Sequence, residues 1–234
     1  MKAGVDVSRR LQQPGDVAQR MLVGADLAVE LLAGCDHAGV TRTGHRQATR
    51  GTGTDDLAVR AGTIQREVGQ GPRVDMTRAG DQTIMVADLR VNRRWPQWAT
   101  RMRQELGVHA VLSLLLYTHD RSVGVLTLYS DRVDAFTPQD LALAQSLATH
   151  LAVAVADGQE IDRRGHAITD NTVVGQAEGI LMQRYSIKAE EASDMLRRVS
   201  QDTDRTVAQI AHDFVHTRDL PVTTPDEPSN DAHE

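Results

Sequence analysis

Residues 172–211 read TVVGQAEGILMQRYSIKAEEASDMLRRVSQDTDRTVAQIA and hold three short helical patterns in succession. Val173, Ala177, Ile180 and Leu181 fall at i, i+4, i+7 and i+8, a stripe that must face a core or a second helix. The chain breaks at 185–187, and Ala192, Met195, Leu196 and Val199 then repeat the spacing. Val207, Ile210, Ala211, Phe214 and Val215 repeat it again, after Thr206 and Gln209 in capping-box spacing. Gly179 is expected to let a neighbour approach the first helix closely. Helices this short bury their stripes only against one another, which predicts a small all-α three-helix bundle of the size of a recognition unit.

The wording GQAEGILMQRY at 175–185, AEEA at 189–192, LRRVSQDT at 196–203 and RTVAQIA at 205–211 resembles the ANTAR family. The resemblance implies a three-helix domain that binds paired hairpins in nascent RNA, each with a short loop. By holding one RNA fold it prevents a terminator from forming, so transcribing RNA polymerase is an indirect partner. The chain departs from the family pattern at Glu178 for a lysine, Lys188 for a capping threonine and Ser193 for an aromatic residue.

RNA loops are read by stacking and by hydrogen bonds to splayed bases, while arginines hold adjacent phosphates. On that ground the expected RNA-binding residues are Gln176, Arg184, Arg197, Ser200 and Arg205; Tyr185 is read as core or as a stacking group. Residues 166–221 carry six Lys or Arg against nine Asp or Glu, a net charge of −3. That sign excludes nonspecific phosphate binding, so affinity rests on local focusing by Arg184, Lys188, Arg197, Arg198 and Arg205. The competing reading makes these cations a solvated face.

Composition bounds the rest. The chain has 234 residues, 40% of them apolar, and a formal charge of −6, which argues against coating DNA or a membrane surface. An opening at Met1–Gln13 that is polar and charged, and no apolar run of membrane-spanning length, point to a cytoplasmic protein with no membrane partner. The lone Cys35 excludes an intrachain disulfide and a thiolate metal cluster, and its flanks suggest a buried, inert thiol. Arginine outnumbers lysine by 24 to 2, which follows GC-rich coding before any function.

Ahead of the bundle the periodicity changes. Asp16 can cap a helix carrying Val17, Met21, Ala25, Ala28 and Leu32. Strand patterns follow at His37–Thr43, Arg46–Arg50, Thr83–Val91, Ala110–Tyr117 and Val123–Tyr129, the last two as a hairpin, and a helix starts at Pro138. This order predicts an α+β domain, an antiparallel sheet covered by helices on one side. EVGQGPRVD at 67–75, VADLRVNRRWPQWA at 86–99, LGVHAVLSLLL at 106–116 and SVGVLTLYSDRVDAFTPQDLALAQSLATHLAVAVA at 122–156 resemble the GAF domains that precede ANTAR modules.

The GAF resemblance implies a sensor for an unknown small-molecule ligand. The expected pocket lies between the sheet and loops carrying Val74, Asp75, Arg94, Trp95 and Trp98. No cofactor is expected. Arg73 stands where similar domains often carry a chromophore cysteine, and His109, His119 and His150 each have a structural explanation other than haem ligation. Without metal-spaced ligands, a nucleophile elbow or a Walker sequence, no enzyme is expected.

Leu141, Ala144, Ala148, Leu151 and Val155 alternate spacings of three and four, the seam of a helix-paired homodimer or a face packed on its own sheet. Gly158 then interrupts that apolar pattern, followed by the charged run at 160–164, which leaves either one long kinked helix or a helix, a flexible joint and a second helix. The resulting division is a disordered start at 1–14, a GAF-like domain at 15–157, a helical linker at 158–167, an ANTAR domain at 168–221 and a disordered tail at 222–234. The leading functional reading is a signal-responsive RNA-binding antiterminator. The alternatives are a sensor or scaffold whose bundle makes protein contacts without RNA, and a DNA-binding bundle.

Overall fold

A computed structural model describes residues 2–13, 15–43, 51–119 and 121–220. They divide into two compact units, Met1–Asp162 and Arg163–Glu234. The second strand expected at Arg46–Arg50 and the tail at 222–234 lie outside the described residues.

In the first unit, Asp16 Oδ1 accepts from Gln19 N at 2.7 Å and starts helix α2 (Val17–Leu31) where the cap was expected. Ahead of it the expected disordered start is corrected: Lys2–Gln12 form helix α1. Val7 and Leu11, one helical turn apart, are buried in the core, and Arg10 pairs with Glu30 at 2.7 Å. Two apolar residues one turn apart suffice when α2 covers them, and the polar composition of the segment hides so narrow a stripe.

The sheet is built from β1 (His37–Arg42), β2 (Thr52–Gly53), β3 (Thr83–Val86), β4 (Ala110–Tyr117) and β5 (Ser122–Ser130). Its order is β2-β1-β5-β4-β3 and every neighbouring pair is antiparallel. The β4–β5 hairpin runs in the expected place, with Val111 opposite Tyr129 and Leu115 opposite Val125. The strand expected to reach Val91 stops at Val86. Asp88 Oδ1 accepts from Arg90 N at 2.8 Å and turns Leu89–Val91 into one 3-10 turn.

Helices cover both faces of the sheet, not one. Ala38, Val40, Leu112, Leu114, Leu126 and Leu128 share a core with α1, α2 and the first part of α6 (Pro138–Tyr185). On the opposite face Val111, Val125 and Tyr129 pack with α3 (Asp56–Val68), α4 (Pro72–Ala79) and α5 (Pro96–Leu106) through Ile64, Met76, Trp98 and Met102. A strand apolar on both faces, as β4 is, requires this double cover.

Helix α6 runs through Gly158 without a break, and that glycine serves close packing. A Cβ there would stand 2.9 Å from Val17 Cγ2 and 3.3 Å from Arg20 Cδ, and one on Gly24 would stand 2.6 Å from the Leu151 methyls. These two glycines let α2 cross α6 closely, and Arg20 Nη1 donates to the Ala154 carbonyl at 3.1 Å across the crossing. One window of α6 is apolar enough by composition to cross a membrane, yet its Ala144, Leu151, Ala152 and Val155 are buried in this core.

The second unit comprises the end of α6, α7 (Ala189–Thr203) and α8 (Val207–Thr217). Its core is Ala177, Leu181, Ala192, Leu196, Ile210, Ala211 and Phe214, drawn from all three predicted stripes. Thr206 Oγ1 accepts from Gln209 N at 3.2 Å and Gln209 Oε1 accepts from Thr206 N at 3.0 Å, the reciprocal cap read from the sequence. At α7 only half of such a cap is available: Glu191 Oε2 accepts from Lys188 N at 2.8 Å, while a lysine side chain offers no acceptor in return. Gly179 is exposed with no atom within 4 Å of an added Cβ, so it is not a site of close approach.

Candidate functional site

In the C-terminal unit the polar faces of α6 and α7 carry most of the residues expected to contact RNA. Gln176, Arg184 and Arg197 are exposed, as are Arg198, Lys188 and Tyr185. Their exposure follows from helical period: Gln176 precedes the buried Ala177, and Arg197 and Arg198 follow the buried Leu196.

These cations do not stand idle. Arg184 Nη1 donates to the Arg218 carbonyl at 2.6 Å, and its guanidinium lies 5.7 Å from the Tyr185 ring centroid. Arg197 pairs with Asp194 one turn earlier at 3.1 Å. Arg205 Nη2 pairs with Asp213 on α8, and that bond holds the Asp213 carboxyl below the usual carboxylate range. Ser200 is half-buried; its Oγ donates to the Arg205 carbonyl at 2.5 Å and closes the turn between α7 and α8. Ser200 therefore positions Arg205, whereas Gln176, Arg184 and Arg197 present their side chains directly. Sequence periodicity finds the exposed face but not the carboxylates that balance it.

In the N-terminal unit four of the five expected ligand residues, Asp75, Arg94, Trp95 and Trp98, meet one another. Asp75 Oδ2 accepts from Arg94 Nε at 2.8 Å and from Trp95 Nε1 at 3.0 Å. The Arg94 guanidinium lies 4.8 Å from the Trp95 ring centroid, and Trp95 meets Trp98 edge-on at 5.6 Å. Trp95 and Trp98 are buried in the α3–α5 core, and Val74 is half-buried one residue before Asp75. The cluster ties α4 to the start of α5, and none of its members lines the large cleft on this unit. That cleft, of about 770 Å³, opens between α4, the end of β4 and the start of β5 and is lined by Arg42, Arg73, Met76, Leu115, Tyr117 and Arg121, among others. The sequence places Arg73 directly after Pro72, and its charge is the missed marker of the cleft.

The expected dimer seam is corrected by burial. Ala144, Ala148, Leu151 and Val155 lie in the unit's own core, with Leu141 packed against it. Spacings of three and four serve a sheet-covering face as well as a coiled coil, and here α2 and the sheet occupy it.

Fold and order define a sensor domain followed by a helical output domain. The GAF domain family model matches residues 16–156 and the ANTAR domain model matches residues 165–215. The chain belongs to the GAF domain family and carries its ANTAR domain C-terminally, the arrangement of a signal-regulated ANTAR-type regulator. A search of curated proteins finds none that matches.

Among solved structures, the GAF domain of a Coxiella burnetii phosphoenolpyruvate-protein phosphotransferase is 16% identical with a TM-score of 0.51, covering 69% of this chain and 95% of that one. Its Acinetobacter counterpart is 9% identical with a TM-score of 0.52, covering 68% and 94%. A bacteriophytochrome from R. palustris is 12% identical with a TM-score of 0.50, covering 83% of this chain. The chain spans 45% of that phytochrome structure and 62% of the structure of its chromophore-binding domain. At such identities the likeness shows the fold alone.

Proposed function

We propose that this protein is a cytoplasmic, signal-responsive RNA-binding regulator that acts by transcription antitermination. The observation that carries the reading is the exposure of Gln176, Arg184 and Arg197 on a bundle whose core draws on all three apolar stripes, within a matched ANTAR domain. They offer amide and guanidinium donors to the loops and phosphates of paired RNA hairpins. The GAF domain supplies control by a small ligand that favours one of two conformations of the protein. RNA polymerase is affected through the RNA, and no catalytic step is assigned to the chain.

Two hairpins with similar loops call for two similar sites, which a symmetric dimer provides. Since the original seam is buried within the N-terminal unit, we place the dimer contact in the C-terminal unit, at Ile168, exposed on α6. The functional test is in-vitro transcription through a terminator preceded by two hairpins. Read-through that rises with added protein supports the reading, and unchanged termination removes it.

One observation favours a second reading. Glu178, Glu190 and Asp194 line a groove of about 490 Å³ beside Arg197, an acidic lining that repels phosphate and suits a basic protein segment. A bundle that binds no two-hairpin RNA would leave this scaffold reading in its place.

A further inference from the structure

The cleft on the α4 side of the sheet has a composition that selects its ligand. Arg42, Arg73 and Arg121 line it, together with the hydroxyl-bearing Tyr117 and the apolar side chains of Met76 and Leu115. Among the described residues no carboxylate lines it. Asp81, whose neighbours Gly80 and Gln82 do, is turned to Arg94 at 3.3 Å.

Arg73 is the unusual member. It sits in the first turn of α4, where Gln65 Oε1 accepts its backbone N–H at 2.9 Å, and it is half-buried. Its Nε is buried and has no hydrogen-bond partner among the described residues. Burial, with Arg66 close by, holds its guanidinium below the usual arginine range, and Tyr129, the other group acting on it, is a phenol held neutral by its own burial. A guanidinium removed from water without a counter-charge is costly, and a bound anion offsets that cost.

We propose that this cleft binds a small organic anion, whose carboxylate or phosphate group pairs with Arg73 and Arg121 while its body lies on Met76 and Leu115. The assignment rests on the reading of the N-terminal domain as a small-molecule sensor, and it moves the site from the Asp75–Trp98 cluster to the open cleft. A planar fork facing a two-oxygen group gives the bidentate geometry that distinguishes carboxylate and phosphate from halide.

The test is thermal unfolding of the full-length chain at constant ionic strength, titrated with glutarate in one arm and inorganic phosphate in the other, against chloride. Expected is a saturable rise in Tm with at least one of the two, the responding arm naming the group. Arg73→Gln should weaken that response about tenfold or more, as loss of a charge-assisted hydrogen bond does. Arg121→Gln, at an exposed position where folding is not at stake, should weaken it in the same direction, while Arg198→Gln in the C-terminal unit should leave it unchanged. No saturable rise in either arm, or an equal rise in both cleft variants, overturns the proposal. Because RNA takes no part in this readout, failure here is separate from failure of the RNA-binding reading.

Discussion

Arg205, just ahead of α8, is paired to Asp213 two turns into it, so a cation assigned to RNA is neutralised by a carboxylate in the free protein. RNA phosphate must compete with Asp213 for the same guanidinium. Asp213→Asn should therefore tighten binding of a two-hairpin RNA several-fold, measured by fluorescence anisotropy at fixed salt. The carboxyl is held below its ordinary range, so the pair is intact above the unfolded-state value of about 4 and is lost only as pH falls through the lower folded value. Between pH 7 and 5 the wild type should accordingly show no change from this pair, and a gain over that range would mean another group competes.

Replacing Arg197 and Arg205 together with alanine should weaken hairpin binding by about 2 to 5 kcal/mol, taking about 1 to 3 kcal/mol for each contact. The helices should persist, since the core of the bundle contains neither residue and the Ser200 Oγ bond goes to the Arg205 backbone. Circular dichroism checks the fold and anisotropy the affinity. Unchanged affinity with unchanged dichroism removes both arginines from the interface.

Leu151 is fully buried and its methyls fill the space over Gly24. Leu151→Ala should cost about 2 to 5 kcal/mol of stability in denaturant melts, and Leu151→Glu should unfold the sensor domain instead of yielding a folded monomer. Ile168→Asp, at an exposed position, should by contrast give a folded monomer by light scattering. A folded monomer from Leu151→Glu would restore the original seam.

The contrast between Leu151 and Ile168 shows where sequence reading ends. Period located α2, the start of α6 and the helices of the bundle, the Asp16 and Thr206 caps and the β4–β5 hairpin, because each depends on residues close in the chain. What covers a stripe depends on residues far away: the three-and-four spacing of Leu141–Val155 is the same whether α2 or a second copy lies on it. The packing role of Gly158 is hidden for the same reason, since nothing local announces that Val17 will stand against it. β4 is apolar on both faces, which calls for a second helical layer, yet the sequence reading placed helices on one side only. In the bundle the exposed face was legible and Glu178 stood out as a departure, but Asp194 and Asp213, which pair with Arg197 and Arg205, were seen only within a sum of charge. Asp75, Arg94 and the two tryptophans were expected together and lie together, but their mutual bonding is invisible in sequence.

Cys35 is buried, its Sγ donates to the His37 carbonyl at 3.3 Å, and burial pushes its thiol up to about 12. The native protein should not react with a thiol-specific disulfide reagent at pH 8 and should react once unfolded. A folded-state value above the unfolded one, about 8.5, means its contribution to stability is whole below that pH and declines as pH rises toward 12. Rapid labelling of the folded protein would place the thiol at the surface.

The most direct test of the account is anisotropy of the full-length protein at physiological salt with a labelled two-hairpin RNA, against duplex DNA of matching sequence. Saturable binding to the RNA, at least tenfold tighter than to the DNA and reduced by Arg197→Ala with Arg205→Ala, is the predicted result. Equal affinity for both nucleic acids, or binding to neither, contradicts it.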